Sequence, residues 1–304
     1  MDIQSRNMLI GIYVFVLFGL VASINLPSNK GWFKGSNRVD NQFQGARFDG
    51  VSANYTSTND ILTLFMPHTY SVNFDNNYND SNIRQDEPKE FYVRQVPGDG
   101  SCLFHALATC IKFVASNDHK KLYNNLVFDN NMKQISLKLR QIAVDVLNNL
   151  ENITLYMENN ETIKNKELLI QVADYYNATT EDYCSQMLKK TTWGGGPEIV
   201  AISNYIKRPI YVYELCSKEK SYGNFKFKIC AKFGCPVFDK KNPLYILCAD
   251  GRFPNIKLGE EKSTGDHFLA LFPVDKIQKS KEGRDDDCVD HDRVIEEIIN
   301  KNMK

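Results

Sequence analysis

The chain has no excess charge of either sign: 37 lysines and arginines stand against 37 aspartates and glutamates in 304 residues. Such a balance provides no long-range field for collecting nucleic acid or settling on an anionic membrane surface. The pairs Lys120-Lys121 and Lys189-Lys190 are too short to change this and read as solvated. Cysteine is sparse as well. Eight cysteines with no C-x-x-C pair exclude a disulfide scaffold and give no zinc-ligand spacing, so no metal or other cofactor is expected. Cys230 and Cys235 lie close in a hairpin-like region, where opposite strand faces or simple burial explain them at least as well as a bridge. No internal repeat is evident. Histidine is scarcer still, with five residues at 68, 105, 119, 267 and 291, so the candidates for a general base are few.

What is present centres on the run Pro97-Gly98-Asp99-Gly100-Ser101-Cys102-Leu103-Phe104-His105-Ala106. Gly98 and Gly100 permit a tight turn, and Leu103, Phe104, Leu107, Ala108 and Ile111 then recur at helical spacing. Cys102 therefore opens a helix. The amides and positive dipole end of a helix N-terminus favour a thiolate, and with the amides of the preceding turn they can face a developing oxyanion. A lone cysteine in such a run is more often a small buried residue, so the reading needs a histidine beside it.

His105, three residues along the same helix, is one rival for that place. His267 is the other. It opens the strand-like run His267-Phe268-Leu269-Ala270-Leu271-Phe272-Pro273, directly after the polar stretch from Gly259 to Asp266. A base at a strand's mouth beside a loop is well situated, although a half-buried histidine of no chemical role would look the same. A third segment, Thr191-Thr192-Trp193-Gly194-Gly195-Gly196-Pro197-Glu198-Ile199-Val200-Ala201-Ile202-Ser203, precedes the strand-like Arg208 to Tyr213. Pro197 suits a helix's first turn, Glu198 its positive end, and Ile199, Ile202 and Ile206 an apolar face. Alone, it reads as an ordinary helix-to-strand unit.

Taken together, the D-G-x-C-L-F run, the W-G-G-x-x-E-I run and the late G-D-H-F run, in that order over about residues 91 to 274, resemble the ovarian tumour (OTU) family of cysteine proteases. The 165 residues from Cys102 to His267 fit that resemblance. It implies a papain-like α/β (α+β) fold, with a central, mostly antiparallel sheet flanked by helices. It also implies deubiquitinase activity: thiolate attack at the C-terminal glycine of ubiquitin or a ubiquitin-like modifier, through a thioester. By the same resemblance Cys102 is the nucleophile, His267 the general base and Asp99 the acidic member. The backbone amides of Gly100, Ser101 and Cys102 form the oxyanion hole, and Trp193, Gly194 and Gly195 line the substrate channel. The chain departs from the pattern at Leu269, where the family often carries Asp or Asn two residues after the histidine. Residues 267 and 269 of a strand share a face, so the orienting group must come from Asp99, another side chain, a backbone carbonyl or water. A catalytically weak module that binds ubiquitin or a ubiquitin-like protein without cleaving it is the alternative that Leu269 favours.

Outside these motifs, Met8 to Ala22 is a 15-residue apolar run with a small-residue site at Val21-Ala22-Ser23. It is short for a membrane span of about 20 residues and reads as a secretory signal peptide, or as a signal anchor tethering the protein to a membrane if uncleaved. Residues 1–23 form that segment, and 24–90 a mildly basic, low-order extension that resembles a transit peptide for a secondary plastid (apicoplast). The rivals are residence in the secretory pathway and a membrane-anchored protease facing the cytosol. Residues 91–274 form the OTU-like domain, expected as a monomer, and 275–304 an acidic linker with a closing helix carrying Val294, Ile295, Ile298 and Ile299. Helices are expected at Lys138 to Leu150, Glu167 to Tyr176 and Glu181 to Leu188. Strands are expected at Ile210 to Leu215, Phe225 to Phe233, Leu244 to Ala249 and Phe268 to Phe272. Sequons at Asn54, Asn79, Asn152, Asn160 and Asn177 would be usable only in the secretory lumen.

Overall fold

Strand β8, His267–Pro273, is buried along its whole length, which is why its sequence is a continuous apolar run rather than an alternating one. The computed structural model describes residues 65–72, 87–116, 128–216, 225–251, 253, 265–279 and 293–300. The apolar run at 8–22, the start of the extension to residue 64 and the sequons at Asn54 and Asn79 lie outside the described residues. Among those described, no helix is long and apolar enough to cross a membrane.

Among the described residues, six strands form the central sheet: β1 (Phe65–Ser71), β2 (Glu90–Arg94), β5 (Ile210–Cys216), β6 (Lys226–Phe233), β7 (Leu244–Ala249) and β8, in the order β1-β2-β8-β7-β5-β6. Every neighbouring pair is antiparallel except β5 with β7. The expected mixed α/β fold with a mostly antiparallel sheet and flanking helices is therefore what forms. Strand β1 lies within the stretch read from sequence as a low-order extension. Its partner β2 lies just ahead of the nucleophile turn, and neither short strand carries a periodic signature long enough to announce itself.

Helix α1, Cys102–Val114, packs against β7 and β8 on one face of the sheet. Its Leu103, Leu107 and Ile111 are fully buried, each worth about 1.5–3 kcal/mol of apolar transfer. Helix α2, Asn130–Leu147, lies on α1. It begins eight residues before the expected Lys138, because Asp129 caps it by accepting from the Met132 amide at 2.9 Å. It also ends short of Leu150, which is 86% exposed and outside the apolar stripe. A two-stranded hairpin, β3 (Thr154–Tyr156) with β4 (Thr162–Lys164), leads into α3 (Asn165–Tyr175) and α4 (Thr180–Met187). Helix α5, Gly196–Ile206, carries buried Ile199, Ile202 and Ile206, as its spacing requires. The opposite face of the sheet has its own core, in which Phe91, Val93, Leu247, Leu269 and Leu271 pack with Tyr213, Phe227 and Phe253. Helix α6 (Val274–Lys279) follows β8 directly. The closing helix α7 (Arg293–Asn300) buries Ile295 and Ile298, and Lys138 of α2 donates to its Glu297 carbonyl at 2.6 Å. Cys230 and Cys235 are free thiols, not a bridge.

Candidate active site

Cys102 is the first residue of α1 and is 5% exposed. The turn before it depends on Gly100, whose φ is +96° and where a β-carbon would stand 2.6 Å from the Thr191 carbonyl oxygen. That close approach marks a clasp: the loop leading to Trp193 wraps the nucleophile turn. Ser101 Oγ donates to the Lys190 carbonyl at 2.8 Å, and a β-carbon on Gly194 would meet Phe104 at 2.8 Å and Leu103 at 2.9 Å. Trp193 is half-buried against the main core, while Gly194 and Gly195 are buried. The structure thus brings the tryptophan-glycine run against the first turn of the cysteine helix.

Two buried charges hold the clasp. Glu198, 1% exposed, accepts from the Gly195 amide at 2.8 Å and from the Tyr183 hydroxyl at 2.5 Å. Burial pushes its carboxyl above the ordinary range despite those donors. Arg140 of α2, also 1% exposed, donates to Ser101 Oγ at 2.9 Å, to the Gly100 and Lys190 carbonyls at 3.3 Å each, and to the Met187 carbonyl at 2.7 Å. Its guanidinium lies 4.2 Å over the Phe104 ring. Burial lowers its pKa to about 10, against the upward pull of Glu198, Cys102 and Asp99. It remains cationic at neutral pH, a positive charge beside the candidate nucleophile. Sequence reasoning missed it, since an arginine in an amphipathic helix reads as a solvated charge.

Asp99 Oδ1 accepts from the Ser101 amide at 3.0 Å and lies 2.9 Å from Nε2 of His105. Burial works to raise its pKa, but the hydrogen bond and charge of His105, with the Ser101 amide, bring it below the ordinary carboxylate value. His105 is correspondingly committed. Its Nδ1 meets Ser136 Oγ at 2.8 Å, so the rival base is a buttress inside the helix layer. The Ser101 amide, one of the three expected at the oxyanion position, donates to Asp99.

His267 heads β8 and is 3% exposed. It pairs with Ala249 at the end of β7, and α1 packs on these same two strands. Burial pushes the thiol of Cys248, which pairs with Phe268, well above the ordinary thiol value. His267 Nε2 lies 3.2 Å from Gln95 Oε1. No sequence signal singles out Gln95, which follows a short strand the sequence did not reveal. The other described cysteines are poor nucleophiles. Burial pushes Cys110, Cys230 and Cys235 up to about 12 and Cys184 to about 11. Among the described residues, no group of His, Cys, Asp and Glu is arranged to hold a metal ion.

Cys102 thus heads a helix, and His267 heads a strand on which that helix packs. The family model for OTU-like cysteine proteases matches residues 97–237, which include Cys102 and the Trp193 run but stop before His267. Through these residues the chain matches the model of that family, as the resemblance read from the sequence implies. The chain is 28% identical over 179 residues to the OVARIAN TUMOR DOMAIN-containing deubiquitinating enzyme 3 of Arabidopsis thaliana, covering 55% of this chain and 69% of that one. A solved ovarian tumour (OTU) domain in complex with ubiquitin aligns at 21% identity and a TM-score of 0.33, over 60% of this chain and 69% of the other.

Proposed function

We propose that this chain is a deubiquitinase that hydrolyses the bond after the C-terminal glycine of ubiquitin or a ubiquitin-like modifier, with Cys102 as nucleophile and His267 as general base. His267 takes the thiol proton, and the thiolate attacks the glycine carbonyl carbon. The amides of Gly100 and Cys102 stabilise the oxyanion. Collapse breaks the C–N bond as the imidazolium returns the proton to the leaving amine. Water, deprotonated by His267, then cleaves the thioester and regenerates the thiol. Trp193, Gly194 and Gly195, clasped over the first turn of α1, shape the approach for an extended glycine-glycine tail.

The observation that carries this reading is the Cys102 turn itself, inside the span that matches the OTU-like cysteine protease model and braced by Arg140, Lys190 and Thr191. The choice of ubiquitin as substrate rests on the name of the Arabidopsis relative, a deubiquitinating enzyme. The test is hydrolysis of ubiquitin carrying a C-terminal aminocoumarin by the full chain, beside Cys102→Ala and His267→Ala. Turnover by the wild type that both substitutions reduce at least a thousandfold is expected. Ubiquitin binding without turnover in all three proteins would overturn the hydrolase reading in favour of a binding module.

A further inference from the structure

A histidine that is to accept a thiol proton must be held in one tautomer and one ring orientation. Leu269, on the same face of β8 two residues after His267, offers no polar atom and is fully buried in the second core. Strands β2 and β8 pair antiparallel in the register Phe91 with Pro273, Tyr92 with Phe272, Val93 with Leu271 and Arg94 with Ala270. Continuing that register by one residue sets Gln95 across from Leu269. Directly opposed residues of an antiparallel pair point to the same face. Gln95 therefore shares a face with both Leu269 and His267, and its Oε1 lies 3.2 Å from His267 Nε2.

The orientation of the Gln95 amide is itself determined. The Val96 amide donates to Oε1 at 3.3 Å, so the atom turned toward both partners is the carbonyl oxygen. A carbonyl oxygen only accepts, and it has two lone pairs for two donors. His267 must therefore carry its proton on Nε2, which leaves the Nδ1 lone pair as the basic site of the neutral ring. Gln95 is 8% exposed and His267 3%, so water competes little for this bond.

We propose that Gln95 is the positioning residue for His267. It fixes the Nε2–H tautomer from strand β2, in place of a polar group at position 269 of β8. The inference rests on the reading of His267 as general base in its consequence for turnover, but not in its consequence for the ring itself. Two readouts on the full chain separate these. Gln95→Leu removes the acceptor, whereas Gln95→Glu keeps an oxygen at the same reach. With the ubiquitin aminocoumarin substrate, Gln95→Leu should lower kcat about ten- to a hundredfold with KM within about threefold, and Gln95→Glu should stay within about tenfold of wild type. In 15N-histidine spectra, with His267 assigned by the signal missing in His267→Gln, the wild type should show the Nε2–H tautomer. Gln95→Leu should show it mixed with the other.

Equal losses in both Gln95 variants with an unchanged tautomer would mean that the residue only packs, and would overturn the inference. So would unaltered kcat and tautomer in Gln95→Leu. If the wild type has no turnover, the spectra still decide. An Nε2–H tautomer lost in Gln95→Leu upholds the positioning role while the hydrolase reading fails, and a tautomer indifferent to residue 95 removes the positioning role.

Discussion

Replacing Arg140 by methionine keeps most of the side-chain stem in place and deletes the guanidinium that ties α2 to the nucleophile turn. In the wild type that group donates to the carbonyls of Met187, Gly100 and Lys190 and to Ser101 Oγ. After the change, the Lys190 carbonyl still receives the Ser101 hydroxyl. The Gly100 and Met187 carbonyls lose a charged donor each, and a buried acceptor stripped of its partner costs about 1–3 kcal/mol. Relief from burying a charge offsets part of this, so the net loss should be about 2–4 kcal/mol against a typical total of about 5–15 kcal/mol. Arg140→Lys, with a single ammonium able to reach one or two of the same oxygens, should recover about half. Urea unfolding of the full chain can be followed by tryptophan fluorescence, since Trp193, one of two tryptophans, sits three residues from Lys190. With a slope of about 1–3 kcal/mol per molar urea, the Arg140→Met midpoint should fall by about 1–2 M. A midpoint within about 0.3 M of wild type at unchanged slope would refute the assignment of Arg140 as the brace.

Two further outcomes follow from the same geometry. Asp99 has a folded pKa below its ordinary value, so its charge contributes stability that is present above the unfolded pKa of about 3.9 and is lost as pH falls through the folded value. Asp99→Asn should accordingly be less stable than wild type near neutral pH, with the difference shrinking toward zero as acid titrates the carboxylate. Thermal unfolding at stepped pH measures this, and a difference that persists undiminished in strong acid would contradict it. Thiol alkylation should be selective as well. With Cys110, Cys230 and Cys235 held near 12 and Cys184 near 11, fewer than about one in a thousand of these groups is thiolate at pH 7.5. Brief iodoacetamide treatment with peptide mass spectrometry should therefore find Cys102 modified ahead of these four. Equal rates at Cys110 would contradict it.

The parts of the fold and site that were legible in the sequence are those whose signal is local. Glycines followed by helical spacing located α1 and put Cys102 at its head. Pro197 and Glu198 located α5, and Glu198 indeed caps it, through the Gly195 amide. Strand-like runs located β5 to β8, unbroken and apolar in β8 but interrupted by lysines in β6. What stayed hidden depends on pairings between distant segments. Asp99 could be read as an acid near the nucleophile, but only the helix geometry turns it toward His105, six residues on. Gln95 is 172 residues from His267 and meets it only because β2 lies beside β8. Arg140 is on the inner face of α2, and its burial could not be read from the spacing of apolar residues, to which an arginine adds nothing. Leu150 continued the apolar spacing past the end of α2 and misplaced that boundary, because spacing alone does not record where a helix ends.

The most direct test of Cys102 as an activated nucleophile is covalent capture. The full chain is incubated with ubiquitin bearing a C-terminal electrophile, and the adduct is digested and sequenced by mass spectrometry. A single ubiquitin attached through Cys102 is expected, absent in Cys102→Ala and strongly slowed in His267→Ala. Labelling at another cysteine, or equal labelling with and without His267, would contradict the assignment of Cys102 and His267 as nucleophile and base.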